Sequence, residues 1–384
     1  MNEQKKLVPK LRFPEFQNAG EWSCEKIDDL VDTVTPPKKL PTSSYGLVGK
    51  FPIIDQSQSE VCGWTDDSDA LINEGLPLII FGDHTCVLKF LSQPFVQGAD
   101  GIKILKSRPK ITTSYLYQYL NYQPVVTEEY KRHYSILKEK LVFFPQHRTG
   151  EQQKIADCLS SLYELIAAQA RKVEAIKTHQ KGLMQQLFPR EGETQPRLRF
   201  SEFQYSGTWE KKLLSDVVKS FKTGKLDANA MVENGQYRFY TCAKNHYQID
   251  HYAFEGEALL VAGNGAHLGY IHHYIGKFNA YQRTYVLQQF KANVIFIRCL
   301  LDRYLPARIL FEKKDGNTPY IVLSTLTDMP LLIPTDMKEQ ERIADCLTFL
   351  DSLITAATYE LETLKTHKRG LMQQLFPAVE TGEA

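Results

Sequence analysis

The chain lacks any apolar run long enough to span a bilayer; its longest, around Leu76 to Phe81, is far short of the roughly 20 residues a spanning helix needs. The first ten residues, M-N-E-Q-K-K-L-V-P-K, contain no apolar core of signal-peptide length, so a cytoplasmic location with no membrane contact is expected. Cysteine is sparse and scattered. Cys24, Cys62, Cys86, Cys158, Cys242, Cys299 and Cys346 are odd in number and include no C-x-x-C, which signals neither a disulfide framework nor a zinc site. Cys158 and Cys346 occupy equivalent repeat positions and are expected to be buried small hydrophobes. No metal and no cofactor is anticipated. A large excess of either charge is also missing: 46 Lys and Arg stand against 45 Asp and Glu, for a formal net charge of +1. That balance excludes a protein coated in basic residues but not one with a local basic face, which is all a nucleic-acid reader requires.

Such faces are present. From Lys89 to Lys140 nine Lys and Arg oppose four acids, and residues 210–334 carry fifteen against eleven. With 43% hydrophobic and 24% charged residues over 384 positions, the chain is an ordinary globular protein with room for two or three cores.

The sequence repeats itself. K-T-H-Q-K-G-L-M-Q-Q-L-F-P from Lys177 to Pro189 returns as K-T-H-K-R-G-L-M-Q-Q-L-F-P from Lys365 to Pro377. E-Q-Q-K-I-A-D-C-L from Glu151 returns from Glu339 as E-Q-E-R-I-A-D-C-L, and L-R-F-P-E-F from Leu11 returns from Leu198 as L-R-F-S-E-F, with Trp22 matched by Trp209. Between these blocks, roughly residues 23–145 and 210–334 are hard to align with one another. A constant frame therefore carries two variable inserts.

The frame reads as helix. Ile155, Leu162, Gln169, Ile176 and Leu183 recur every seven residues, as do Leu159, Ile166, Val173, Gln180 and Leu187. The second copy repeats both series, through Ile343, Leu350, Ala357, Leu364 and Leu371 and through Leu347, Ile354, Leu361, Lys368 and Leu375. Each helix is predicted to run about 37 residues, on the order of 55 Å, before Pro189 or Pro377 stops it. One apolar seam on so long a helix demands a partner helix, and the two copies are expected to pair with each other, antiparallel, with the inserts at opposite ends. Polar Gln169, Gln180 and Lys368 interrupt the seams and fix register. Pseudo-twofold pairing places the N-terminal segment near the end of the second helix. Beyond the seam, His179, Met184, Gln185 and Phe188, with His367, Met372, Gln373 and Phe376, are identical between copies. Either packing against the adjacent insert or one surface presented twice to one kind of partner explains that identity, and the second reading makes these eight residues partner-binding candidates.

Both inserts alternate short apolar runs with turn residues and read as strand-rich with some helix. Tyr115, Tyr119 and Tyr122 share a helical face and are expected in a core. Four loops combine polar reach with charge: Gly82, Asp83, His84 and Thr85 after the strand Leu78 to Phe81; Lys131, Arg132, His133 and Tyr134; Asn264 and His267 after the strand Ala258 to Val261; and Gln282, Arg283 and Thr284. Lys313, Lys314 and Asn317 add a basic loop. Arg suits guanine, Gln suits adenine, and Lys seeks phosphate; each of these residues also has a plain reading as a turn or scaffold residue.

A variable insert followed by a long helix ending in K-x-x-x-x-G-L-M-Q-Q-L-F-P, then a second insert and a second such helix, resembles the specificity subunit of Type I restriction-modification systems. The resemblance covers essentially the whole chain. It implies an α+β protein in which two strand-rich target recognition domains are separated by two long antiparallel coiled-coil helices, with a pseudo-twofold internal repeat. The expected boundaries are 1–150 for the first recognition domain with its N-terminal repeat segment, 151–189 for the first spacer helix, 190–338 for the second domain, 339–377 for the second helix, and 378–384 for a tail. It further implies a non-catalytic subunit that reads a bipartite, asymmetric double-stranded DNA target and binds two methyltransferase subunits, with restriction subunits joining the larger complex. Two unlike readers on one rigid frame place half-site centres about one helical turn, roughly 10 bp, apart.

Three rival readings remain open. Val261-Ala262-Gly263-Asn264-Gly265 has the form of a methyltransferase cofactor loop and Asn317-Thr318-Pro319-Tyr320 is one residue from N-P-P-Y, which suggests a DNA adenine methyltransferase fragment; the missing second proline and an insert of about 125 residues argue against it. Asp83 with Glu129 and Lys131 has the form of a nuclease metal site, a pattern common by chance. A coiled-coil scaffold that binds no DNA is the third.

Overall fold

The computed structural model describes residues 8–99, 101–127, 132–190, 192–312 and 320–377. It divides into two compact units. Residues 1–170 with 359–384 make the first, and residues 171–358 the second. Each unit thus contains one insert and half of each long helix.

The long helices run from Glu151 to Leu187, 37 residues, and from Met337 to Leu375, 39 residues. Their starts have local causes. Gly150 turns left-handed at φ 78° and the Thr149 hydroxyl accepts from the Glu151 N–H at 3.3 Å. Asp336 accepts from the Lys338 N–H at 2.8 Å, so an acidic cap meets the orphan donors of the first turn. Buried Pro189 and Pro377 follow their ends. None of the seam positions is exposed. In the first unit Gln169 Nε2 donates to Glu360 at 2.8 Å and the Lys368 ammonium stands 5.0 Å from the Tyr163 ring centre. In the second, Gln180 Nε2 donates to Asp351 at 2.7 Å. Residue numbers that rise in one helix fall in the other, so the halves pair antiparallel within each unit. The three polar seam residues are accommodated by partners that only one register supplies.

The same frame encloses both inserts. In the first unit Ser23–Lys26 pairs antiparallel with Leu141–Phe144, and in the second Glu210–Leu213 pairs with Pro330–Ile333. A four-residue helix follows the first strand of each pair, Ile27–Leu30 and Leu214–Val217. Arg12 forks onto Glu151 through Nε at 2.7 Å and Nη2 at 2.6 Å, and its twin Arg199 forks onto Glu339 at 2.7 Å through both nitrogens. The glutamates are 1% and 0% exposed, so these are buried charges held by matched bidentate pairs. Gln152 accepts from the Thr112 N–H and donates to the Pro145 carbonyl, while Gln340 accepts from the Asn293 N–H and donates to the Pro334 carbonyl. Thr112 and Asn293 in turn cap the helices Thr113–Tyr122 and Val294–Glu312. The structural repeat therefore reaches inside stretches whose sequences are hard to align.

Each core closes over an aromatic cluster. Trp22, Tyr115, Tyr119, Tyr122 and Phe376 pack together in the first unit, and Phe188, Trp209 and Phe296 in the second. Fully burying one such ring contributes on the order of 1.5–3 kcal/mol.

Inside the frame the inserts differ. The first holds two four-stranded sheets: one runs Val31–Val34, Ile102–Ser107, Leu78–Gly82, Leu88–Leu91, and the other Gly63–Thr65, Phe51–Ile54, Phe95–Gln97, Leu71–Ile72. Among the described residues the second holds one six-stranded sheet in the order Val218–Thr223, Thr284–Phe290, Phe254–Ala262, Ile271–Ala280, Tyr237–Tyr240, Tyr247–Ile249. The expected α+β class, with strand-rich units, paired long helices and an internal repeat, is what the structure shows. Cys158 and Cys346 are half-buried rather than buried, lying beside the seam instead of in it. Among the described residues no helix is long and apolar enough to cross a membrane.

Candidate nucleic-acid interface

In the first unit the two candidate loops meet at Asp83. The strand Leu78–Gly82 is buried throughout and delivers the chain into the turn at Asp83. There the Asp83 carboxylate accepts from the Tyr134 N–H at 2.8 Å, and its carbonyl accepts from the His133 N–H at 2.8 Å with the His133 ring Nδ1 at 3.0 Å. Asp83 is 6% exposed and His133 1% exposed, so both hold the loops together from inside. Thr85 and Arg132 are exposed, with His84 and Tyr134 half-buried. The Thr85 hydroxyl donates to the Gln56 carbonyl at 2.7 Å, and the His84 N–H donates to the Gln56 side chain at 3.3 Å. The Lys103 and Lys138 ammonium groups lie 5.3 and 6.0 Å from the Tyr134 ring centre, giving the joined loops a basic margin. Burial pushes the Tyr134 phenol up, against the pull of Lys138.

In the second unit the two candidate loops also meet. The Gly263 N–H donates to the Arg283 carbonyl at 2.9 Å, and Ala262 pairs with Thr284 across the adjacent strands. A Cβ at Gly263 would stand 2.4 Å from the Arg283 carbonyl oxygen, so the approach requires glycine. Thr284 is fully buried, while Gln282 and Arg283 are exposed and Asn264 and His267 half-buried. Gln282 Nε2 is engaged by Asp227 at 2.6 Å. Thr223, Gly263, Gln282, Arg283, Tyr285 and Ile321 line a cleft of about 240 Å³. Burial pushes the Tyr285 phenol up while the nearby Arg283 charge opposes the shift. Lys131, Lys313, Lys314 and Asn317 lie outside the described residues, as does Glu129.

The partner candidates divide by burial. Phe188, Phe376 and Met372 sit inside the cores of their units, and Met184 packs against one. His179, Gln185, His367 and Gln373 are exposed. Packing against the inserts therefore accounts for the repeated phenylalanines, and the repeated polar residues are what remains for a partner.

Several residues in these arrangements carry no local sequence signal. Gln56 lies far upstream of the loop it braces, Thr223 and Tyr285 reach the second cleft through strand register, and Asp227 meets Gln282 from beyond the strand. Arg12, Arg199, Gln152 and Gln340 did have a signal, since they repeat inside the duplicated blocks without belonging to the seam.

The geometry disfavours a methyl-donor site. A glycine-rich cofactor loop needs a parallel strand feeding a helix, whereas Phe254–Ala262 is antiparallel to both neighbours and runs into a turn at Asn264. Among the described residues no group of three or more His, Cys, Asp or Glu side chains is placed to hold a metal ion.

The fold is a duplicated helical frame that carries a different sheet domain in each copy. Residues 206–366 match the family described as Type I restriction modification DNA specificity domain. The chain is 36% identical over 176 residues to the Type I restriction enzyme EcoDI specificity subunit of Escherichia coli, an alignment spanning 46% of this chain and 38% of that relative. Its fold is similar to the crystal structure of the Type I restriction-modification S subunit from M. genitalium, with a TM-score of 0.72 and 21% identity over 97% of this chain and 100% of that one. A chain from a structure describing complex assembly and conformational transition of the type I R-M system matches at a TM-score of 0.52 and 12% identity, covering 93% and 98%. The resemblance to Type I specificity subunits read from the repeats is borne out.

Proposed function

We propose that this chain is the non-catalytic, cytoplasmic specificity subunit of a Type I restriction-modification complex. Each unit reads one half of a split, asymmetric double-stranded DNA target. Two methyltransferase subunits dock on the repeated frame, and restriction subunits join the larger assembly. The observation that carries this reading is the contrast between frame and insert. Buried pairs as specific as Arg12–Glu151 and Arg199–Glu339 recur while the sheets they support differ in strand number and order. Duplicated scaffolding around unlike sheets suits two readers of two sequences. The loops that meet at Asp83 and at Gly263 present Thr85, Arg132, Gln282 and Arg283 as the exposed groups with base-reading or phosphate-binding chemistry. Exposed His179, Gln185, His367 and Gln373 supply one surface twice, which suits two copies of one partner.

Methylation mapping in cells carrying this chain with its methyltransferase and restriction partners tests the proposal. One bipartite sequence with unlike halves and a fixed gap is expected, and methylation should vanish when the chain is removed. A single uninterrupted site, or methylation that persists without the chain, would refute it.

A further inference from the structure

The second unit carries a basic, aromatic surface that none of the candidate loops includes. Arg238 on the strand Tyr237–Tyr240, Lys277 on the strand Ile271–Ala280 and His246 just before the strand Tyr247–Ile249 line a cleft of about 520 Å³ together with Tyr274. The Arg238 guanidinium lies over the Tyr274 ring, 4.6 Å from its centre, and bonds the Tyr240 hydroxyl at 3.4 Å. The Tyr240 and Tyr274 phenols raise the Arg238 guanidinium further, the Tyr240 hydrogen bond foremost. Lys277 stands 4.7 Å from the Tyr252 ring centre and interacts with the Tyr252 side chain, while Glu255 occupies the paired position on the neighbouring strand.

Contacts beneath this surface link it to the loop that bears Arg283. The Cys242 thiol donates to the Arg283 carbonyl at 3.5 Å. The His272 ring bonds the Ala243 carbonyl at 2.9 Å and lies 5.0 Å from Tyr240, which is 5.6 Å from Tyr274. Burial and the Arg238 charge push the His246 imidazole down, and burial pushes His272 down. The positive charge of this surface is carried by Arg238 and Lys277, with the Glu255 carboxylate beside Lys277.

We propose that Arg238 and Lys277 bind phosphates of double-stranded DNA beside the Arg283 loop, as a sequence-independent contact of the second unit. The inference rests on the reading of that unit as a DNA reader. A duplex backbone fits better than stacked single-stranded bases, because the rings are already occupied: Arg238 covers Tyr274, Lys277 covers Tyr252, and Tyr252 packs at a tilt of 57° against Tyr237, 5.1 Å away. What remains available is donor-rich cation, which suits phosphate oxygens.

The test compares the full chain, reconstituted with its methyltransferase partner, with the R238Q/K277Q double variant. The probes are a duplex carrying the mapped methylation sequence, a scrambled duplex and the corresponding single strand, titrated from 50 to 200 mM salt. Losing two phosphate contacts should flatten the log–log salt dependence by about 2, so affinity should fall about tenfold less across that range. The weakening should be equal on both duplexes, and the methylated sequence unchanged. R238K/K277R should restore the slope, which separates charge from folding. An unchanged slope, a loss confined to one sequence, a loss on the single strand alone, or failure of R238K/K277R to restore the slope would overturn the proposal. If the wild-type complex does not prefer its mapped duplex, the proposed function fails; equal, salt-dependent loss in the double variant would still support the phosphate surface.

Discussion

The backbone N–H of Leu11 donates to the Gln374 carbonyl at 3.0 Å, tying the first repeat segment to the last turn of the second long helix. In the other unit the Leu198 N–H donates to the Gln186 carbonyl at 3.0 Å. The two bonds are equivalent, yet Leu198 follows its helix in sequence and Leu11 precedes its own by most of the chain. The connection between helix end and repeat segment is thus covalent in one unit and non-covalent in the other.

That equivalence predicts a circular permutant. Gly192 lies in the covalent connection, adopts φ 82° and has open space around it. A chain opened there, with its original ends joined by a short flexible linker, should melt cooperatively and keep sequence-selective DNA binding. Insoluble protein, or a folded permutant without selectivity, would show that the two connections are not interchangeable.

The buried forks give a second prediction. Arg199→Ala leaves Glu339 buried and stripped of its fork, so the second unit should lose about 3–5 kcal/mol of stability. Trp209 Nε1 donates to the same carboxylate at 3.2 Å, so its fluorescence in a urea titration reports that loss. Arg199→Lys should recover only part, since an ammonium cannot reproduce two parallel bonds. Arg12→Ala should act on the first unit to a similar degree. A loss below 1 kcal/mol for both alanine variants would mean the glutamates find water instead.

Much of the frame was legible because its signals are local or duplicated. The heptads of Ile155 and Leu159 gave the first helix its length, and Pro189 gave its end. Tyr115 and Tyr119 were readable as core from their shared helical face, and both are fully buried. Gln169 and Gln180 stood out as polar breaks, but their partners Glu360 and Asp351 depend on antiparallel register that one helix cannot state alone. The inserts were least legible. Nothing near Asp83 announces that it binds residues 133 and 134, because the contact joins a turn after a strand to the start of a helix some fifty positions later. For the same reason its side chain reads as a base contact in sequence and as an internal brace in the fold.

The repeated thirteen residues should separate into two phenotypes. Phe376 is fully buried against Tyr115, Tyr119 and Tyr122, so Phe376→Ala should cost the first unit about 3–5 kcal/mol. Gln373 and His367 are exposed, and replacing both with alanine should change stability by less than about 0.5 kcal/mol while reducing co-purification of the methyltransferase partner. The equivalent pair, Gln185 and His179, should behave alike, and loss at both sites should exceed loss at either. Full co-purification by a variant altered at all four positions would remove these residues from the docking surface.

Arg283 offers the most direct view of half-site reading. Its carbonyl is fixed by the Gly263 N–H and the Cys242 thiol, so the backbone stays in place when the side chain is removed. The guanidinium is left exposed at the edge of the cleft beside Tyr285. A forked cation on an immobile backbone suits the paired acceptors of guanine. Arg283→Ala should therefore weaken binding by about 1–3 kcal/mol and relax the sequence requirement at one position in the second half-site, leaving the first half-site intact. Competition binding against duplexes varied one base pair at a time measures both effects. Equal weakening on every duplex would instead assign Arg283 to phosphate, together with Arg238 and Lys277, and shift the search for base contacts to Gln282, Asn264 and His267.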